Sequence, residues 1–148
     1  MSSIVVPDST PGTRLRTSRR AMEALPSGKW WMYSSGSEKF NRPDGLIERI
    51  GSPHVRLHLD VKAMCSEAAS IPEIIHASAR HLEHFHANDE NLQGPGFGAI
   101  DFLPIFRALD DIRYAGWVSV EVFDYALGPE RLARDSIDFM RRIETELE

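Results

Sequence analysis

His54-Val-Arg-Leu-His-Leu-Asp60 alternates strictly, setting Val55, Leu57 and Leu59 against Arg56, His58 and Asp60. Successive side chains of an extended chain point to opposite faces, so the stretch predicts a strand with one apolar and one polar side. Reading outward from it finds two more strands. His81–His86 carries Leu82 and Phe85 among polar neighbours, and Trp117-Val-Ser-Val-Glu-Val-Phe123 opens after Gly116. Between and around them the apolar spacing changes to that of helices. Asp44–Ile50 places Leu46, Ile47 and Ile50 on one face, with Gly51 past its end. Pro72 suits the first turn of a helix that turns Ile74, Ile75, Ser78 and Ala79 inward. Ile100–Leu109 carries the stripe Phe102, Ile105, Phe106 and Leu109, and Pro129–Leu147 is a long amphipathic helix lined by Leu132, Met140, Ile143 and Leu147. Asn88–Ala99, punctuated as Gly94-Pro-Gly-Phe-Gly98, is a loop.

The order is therefore α-β-α-β-α-β-α, which calls for a parallel sheet with helical crossovers. The strands end at Asp60, His86 and Glu121, spacings of 26 and 35 residues. A closed (β/α)8 barrel of ~250 residues averages about 31 per unit, which these spacings bracket. The expected fold is α/β: a partial (β/α)8 TIM barrel of about three βα units, over residues 43–148. Residues 1–36 read as an irregular or poorly ordered lead-in.

The chain has 148 residues, 42% apolar and 26% charged, about one domain's worth of an ordinary globular composition. No window approaches the ~18 apolar residues of a membrane span. The start lacks the charged n-region of a secretory signal. Cys65 is the single cysteine, which excludes an intrachain disulfide and a Cys-cluster zinc site and fits a reducing cytoplasm. The net charge is −5, yet Arg14, Arg16, Arg19 and Arg20 against Asp8 make residues 1–22 locally +3 and leave −8 over residues 23–148. That balance argues against a general nucleic-acid binder. The Arg-rich start reads as a loosely ordered tail, with a transit peptide as the alternative.

Parity then selects a candidate site. If the apolar sets (Val55, Leu57, Leu59; Val118, Val120, Val122) face the helices, then Arg56, His58 and Asp60, His84 and His86, and Ser119 and Glu121 face the barrel interior. Chemistry in parallel α/β proteins sits at the carboxyl ends of strands, where βα loops converge. Asp60, His86 and Glu121 each end a strand on that interior parity. Carboxylate, imidazole, carboxylate is a ligand set for a divalent metal such as Mn²⁺, Co²⁺, Mg²⁺ or Zn²⁺. A metal there would acidify a C–H between a carbonyl and a hydroxyl, with Glu121 as ligand and proton-transfer group. The structural reading stands beside it: an acid at a strand end commonly caps a loop, and a histidine among aromatics is commonly a hydrogen-bonded core residue.

Other features point to less. Gly94–Gly98 lies between a strand and a helix but is not Gly-x-Gly-x-x-Gly, and no Gly-Lys-Ser/Thr follows, so it reads as a sharp turn into the helix near Asp101. Cys65, near Lys62, reads as a buried or incidental thiol. Trp30 and Trp31 read as a local core plug in preference to a stacking platform.

His84-Phe-His-Ala-Asn-Asp89, Gly94-Pro-Gly-Phe-Gly-Ala-Ile-Asp-Phe102 and Tyr114-Ala-Gly-Trp-Val-Ser-Val-Glu-Val-Phe123, in that order, resemble the sugar phosphate isomerases/epimerases of the xylose isomerase-like TIM-barrel superfamily. Leu57-His-Leu-Asp-Val-Lys62 is similar to the preceding strand of those proteins. The resemblance covers roughly residues 43–148. It implies isomerisation or epimerisation of a ketose or related hydroxy-carbonyl compound through an enediolate. It implies a divalent metal held by Glu, Asp, His and Glu from four successive strands. Asp60, His86 and Glu121 match the second, third and fourth ligands, and Glu121 takes the last acid's proton-transfer role. Lys62, Asn88 and Asp89 are expected to contact the substrate, a sugar or sugar phosphate.

Two departures accompany the resemblance. The first ligand belongs near Ser27–Tyr33, which contains no acid; Glu23 and Glu38 lie nearby without a convincing strand. The four amino-terminal βα units of the family barrel are also absent. The chain thus reads as the carboxyl-terminal portion of such an enzyme, weak or inactive alone, with exposed strand edges that favour a homo-oligomer or a missing barrel half as partner. A non-catalytic carbohydrate-binding or regulatory remnant is the alternative. A metal-dependent repair nuclease, also represented in that superfamily, is opposed by the −8 balance.

Overall fold

In the computed structural model, Val55–Asp60 forms the central stretch of a parallel sheet, and the description extends over residues 30–33 and 43–147. In chain order the elements are β1 (Trp30–Tyr33), α1 (Pro43–Ile50), β2 (Val55–Asp60), α2 (Val61–Met64), α3 (Ile71–Ser78), β3 (Leu82–Ala87), α4 (Leu103–Asp111), β4 (Trp117–Val120) and α5 (Pro129–Leu147). The strands lie side by side as β1-β2-β3-β4, every pair parallel. The sheet is open, with β1 and β4 at its edges among the described residues, as in part of a (β/α)8 barrel.

β1 falls within the stretch read as an irregular lead-in and an aromatic plug. Trp30-Trp-Met-Tyr33 is rich in residues that suit a pleated surface, and it pairs in step with Val55–His58. The remainder of the 1–36 reading, with its basic tail, lies outside the described residues, as do Glu23 and Glu38.

One irregularity sets the phase of the sheet. Leu57 pairs with Leu82, but His58 pairs with His84, so Glu83 is an extra residue on β3. Strand side chains alternate with period two, and one inserted residue moves everything after it to the opposite face. Beyond the bulge Leu59 lies beside Phe85 on the helical face, and Asp60 beside His86 on the other.

The core fills the space between the sheet and one layer of helices. Leu57, Val61, Ile75, Phe85 and Phe102 have no exposed surface, and Leu59, Leu132, Ile105, Phe106 and Leu109 have almost none. α3 packs on α4 and α4 on α5. A capping box starts α3: Ser70 Oγ accepts from the Glu73 N–H, and Glu73 accepts from the Ser70 N–H at 2.8 Å. On α5 the inward line is Leu132, Ser136, Met140 and Ile143.

Three element expectations shift. The helix expected over Ile100–Leu109 runs Leu103–Asp111, because Pro104 suits a first turn; Asp101 accepts the Leu103 N–H just before it. The strand expected to reach Phe123 ends at Val120. The Phe123 and Asp124 N–H groups turn aside to the Leu92 carbonyl, at 2.8 and 2.9 Å. Ile50 and Ala79, expected to face inward, are exposed. Among the described residues no helix is long and apolar enough to cross a membrane.

Phe85 is the side chain that joins the bulged strand to the helical layer. Phe85→Ala is expected to lower the free energy of unfolding by ~3–5 kcal/mol, read from urea denaturation in chelator. Ile50→Ala should shift it by no more than about 0.5 kcal/mol. Equal effects of the two would contradict this assignment of the core.

Candidate metal centre

Asp60 is the last residue of β2 and the N-cap of α2. Its Oδ1 accepts the Ala63 N–H at 2.9 Å, which fixes one end of the carboxylate. Its Oδ2 accepts from Asn88 Nδ2 at 2.6 Å. On the neighbouring strand His86 presents Nδ1 toward the same point, 3.9 Å from Asp60 Oδ2. Glu121 stands one residue past β4, where its own N–H bonds to the Ala87 carbonyl at 3.1 Å and continues the ladder. Its Oε2 lies 3.0 Å from His86 Nδ1. One ligand atom from each of Asp60, His86 and Glu121 falls within 4.8 Å of the others, the one such trio among the described residues.

The electrostatics follow from burying this row. Burial first, and Asp60 second, push the Glu121 carboxyl up to about 7. Burial lowers His86, against an opposing pull from Asp60. The His86–Glu121 contact, at 3.0 Å, thus joins a carboxyl and an imidazole that burial pushes toward their neutral forms. Beneath it lie two further imidazoles. His58 is 3.9 Å from His86 centroid to centroid, and His84 is 4.9 Å from it, both edge to face. Ser119 Oγ meets His84 Nε2 at 3.1 Å. Burial and the neighbouring imidazoles hold His58 down to about 4 and His84 down to about 3. The floor of the site is thus uncharged at neutral pH.

The donor set suits a divalent cation. One donor atom from each of the three side chains lies within 4.8 Å of the others, close enough that Asp60, His86 and Glu121 would hold one ion between them. Two acidic oxygens and one imidazole nitrogen do not discriminate strongly among first-row ions.

The other residues singled out in the sequence fall into two groups. Lys62, on α2, is half-buried at the same rim, its Nζ 5.7 Å from the centre of the Phe123 ring. Asn88 and Asp89 have no exposed surface. Asn88 bonds Asp60 and the Lys62 N–H; Asp89 accepts the N–H groups of Glu90 and Gly98 at 2.8 and 3.1 Å. A Cβ on Gly98 would overlap the Asp89 carboxylate, and one on Gly94 would overlap Ser136, so these two glycines let the loop lie flat against its supports. Cys65 is exposed, contrary to the buried alternative. Partial burial and the carboxylates of Glu90, Asp89 and Asp60 push its thiol up, away from a reactive thiolate. Phe123 was not picked out from the sequence. It shares the parity of Ser119 and Glu121, and 46% of it is exposed, so an aromatic in the polar phase of an alternating run was the available signal. β1 ends on Tyr33, in register with His58 and two residues short of the level of Asp60.

Comparison with known proteins follows the geometry. The family model described as xylose isomerase-like TIM barrel matches residues 17–143. A D-psicose 3-epimerase of Enterocloster bolteae is 30% identical over 123 residues, 76% of this chain and 41% of that protein. The 3-dehydro-D-guloside 4-epimerase of Escherichia coli is 31% identical over 88 residues, 60% of this chain and 34% of that protein. Among solved structures, D-psicose 3-epimerase with D-tagatose from Clostridium cellulolyticum H10 superposes with a TM-score of 0.61 at 27% identity, covering 67% of this chain and 41% of that one. The chain thus spans about two fifths of the length of such relatives.

The buried imidazoles set a pH dependence. His58 and His84 fall from 6.5 to about 4 and about 3 on folding, so their share of stability is present above 6.5 and is lost as pH falls toward 4. Glu121, raised from 4.5 to about 7, acts oppositely over the same window. Two histidines with shifts at least as large outweigh one carboxyl. In chelator, the thermal midpoint should fall by at least ~5 °C from pH 7.5 to pH 5. His84→Gln should flatten that slope, and an unchanged slope would contradict the assignment.

Proposed function

The chain belongs to the xylose isomerase-like TIM-barrel family, and from that premise we propose that it carries the proton-transfer half of a sugar isomerase or epimerase site. The observation that supports this reading is the convergence of Asp60, His86 and Glu121 within 4.8 Å at the carboxyl ends of three adjacent parallel strands. The substrate class is a ketose or a related hydroxy-carbonyl sugar, in keeping with the ketose 3-epimerases among its relatives.

Asp60, His86 and Glu121 hold a divalent cation. When bound, that ion supplies Lewis-acid polarisation of a carbonyl and its neighbouring hydroxyl, acidifying the C–H between them. The chain's own residues do the rest. Glu121 takes and returns the proton at Oε2. Burial and Asp60 raise this carboxyl to about 7 before a cation binds, and a bound cation would lower it again, toward the carboxylate that takes the proton. His86 would offer Nδ1 to the cation, 3.0 Å from Glu121 Oε2, and takes no proton itself while the cation is bound. Asp60, fixed at both oxygens, keeps its place while the others exchange. Lys62 and Phe123 line the rim where a sugar enters, Lys62 toward its hydroxyls. Asn88 and Asp89, fully buried, serve as supports of the two loops and not as direct contacts.

Two-base epimerisation needs a second acid on the opposite face of the carbon, and Ser27–Tyr33 offers none. The chain also spans only about two fifths of the length of its relatives. By itself it therefore has little or no turnover, and it works, if completed, with the rest of a barrel from a longer chain, a partner or another copy. The absent acid is also the observation that favours a second reading, a non-catalytic carbohydrate-binding or regulatory remnant.

Two measurements test this. Mn²⁺ or Co²⁺ at a hundred times its dissociation constant should add ~2.7 kcal/mol of stability over chelator, and His86→Ala should abolish the gain. A metal-insensitive transition would overturn the cation site and leave the remnant reading. Ketose turnover by the purified chain should be at background. Turnover above background that disappears in Glu121→Ala would show that three ligands suffice and would overturn the claim of inactivity.

A further inference from the structure

Asn88 has no exposed surface, and its carboxamide joins the loop after β3 to the end of β2 and the start of α2. Nδ2 donates to Asp60 Oδ2 at 2.6 Å, and Oδ1 accepts from the Lys62 backbone N–H at 2.8 Å. A carboxylate can only accept and a backbone N–H can only donate, so this orientation of the amide is the one that satisfies both. Asp60 is thereby held at both oxygens, Oδ1 by the Ala63 N–H and Oδ2 by Asn88. Oδ2 is the oxygen that faces His86 Nδ1 across 3.9 Å. The Lys62 bond also ties α2, which follows β2 directly, to the loop after β3. These two segments lie just past Asp60 and His86, which are partners in the strand register.

We propose that Asn88 is a positioning residue of the cation site, acting through Asp60. It fixes the rotation of the Asp60 carboxylate, so that one lone pair of Oδ2 faces the point shared with His86 and Glu121, and it holds the gap between β2 and β3 at that point. The inference rests on the reading that the trio binds a divalent cation, and it assigns Asn88 no contact with the ion or the sugar. Without Nδ2–H the carboxylate is held at Oδ1 alone and is free to swing about its Cβ–Cγ bond. Partners that orient a metal ligand typically change affinity by 10–100-fold.

The test is a Co²⁺ titration of the purified full chain, followed by visible absorption, in four forms: wild type, Asn88→Ala, Asp60→Ser and the double variant. Ser at position 60 keeps the helix cap while removing the oxygen that faces the ion. Asn88→Ala is expected to weaken Co²⁺ binding by about 10–100-fold. In the Asp60→Ser background the same change should cost less than about twofold, because there is no carboxylate left to orient. Unchanged affinity in Asn88→Ala, or an equal loss in both backgrounds, would overturn the proposal, the latter by showing a general structural role. Thermal unfolding in chelator verifies that each form folds, and Asn88→Ser replaces Asn88→Ala if the latter does not. Loss of cooperative unfolding in both would overturn it too, by making Asn88 a requirement of the fold. Absence of Co²⁺ binding in the wild type would instead sink the cation reading beneath it.

Discussion

The pairing of Asp60 with His86 across two parallel strands is the contact on which the site depends. It exists because Glu83 is bulged out of the β2–β3 ladder. Carried on in the register of Leu57 with Leu82, Asp60 would lie beside Phe85, and the polar row would be split between the faces. After the bulge, His86 lies beside Ser119 and Ala87 beside Val120, so Glu121, two residues beyond Ser119, falls on the same face as His86 and one step further along it. Three groups 26 and 35 residues apart in sequence thus meet within a few ångströms. Parallel strands require this kind of long crossover, and the helices that make it supply the apolar layer behind the sheet.

That layer has an electrostatic consequence. Phe85 and Leu59 back the sheet with no water behind it, and the imidazoles of His58 and His84 occupy the floor in front. An ionisable group placed between them is pushed toward its neutral form, which is why the histidines move down and Glu121 moves up. Two carboxylates and an imidazole at the rim of an uncharged floor make a concentrated negative site when Glu121 ionises. Such a site accommodates its charge either by keeping a proton or by binding a cation.

Family membership and the open sheet are consistent with each other. Four parallel strands are half of the eight in a closed barrel. The chain also matches its epimerase relatives over about two fifths of their length. A TIM-barrel site is assembled from several strand ends, so a portion of the barrel holds a portion of the site. Here the contiguous block β2, β3 and β4 brings Asp60, His86 and Glu121 together.

Much of this was legible in the sequence, because alternation is a local property. Val55, Leu57 and Leu59 against Arg56, His58 and Asp60 states which side chains share a face, whatever the strand pairs with. The positions of Asp60, His86 and Glu121 at the ends of their runs follow from the same reading. Pro129–Leu147 declared its helix through spacing alone, and the observed bounds agree. What pairing partners decide was not legible. The bulge at Glu83 depends on two strands meeting, and β1 counts as a strand only because β2 lies beside it. Asn88 and Asp89, polar residues after a strand, looked from the sequence like groups reaching for substrate. Their burial and their bonds to Asp60, Lys62, Glu90 and Gly98 come from the folding of two loops onto each other. Periodicity reports the direction of a side chain; distance, burial and protonation depend on atoms far away in the chain, and only the tertiary structure brings those into range.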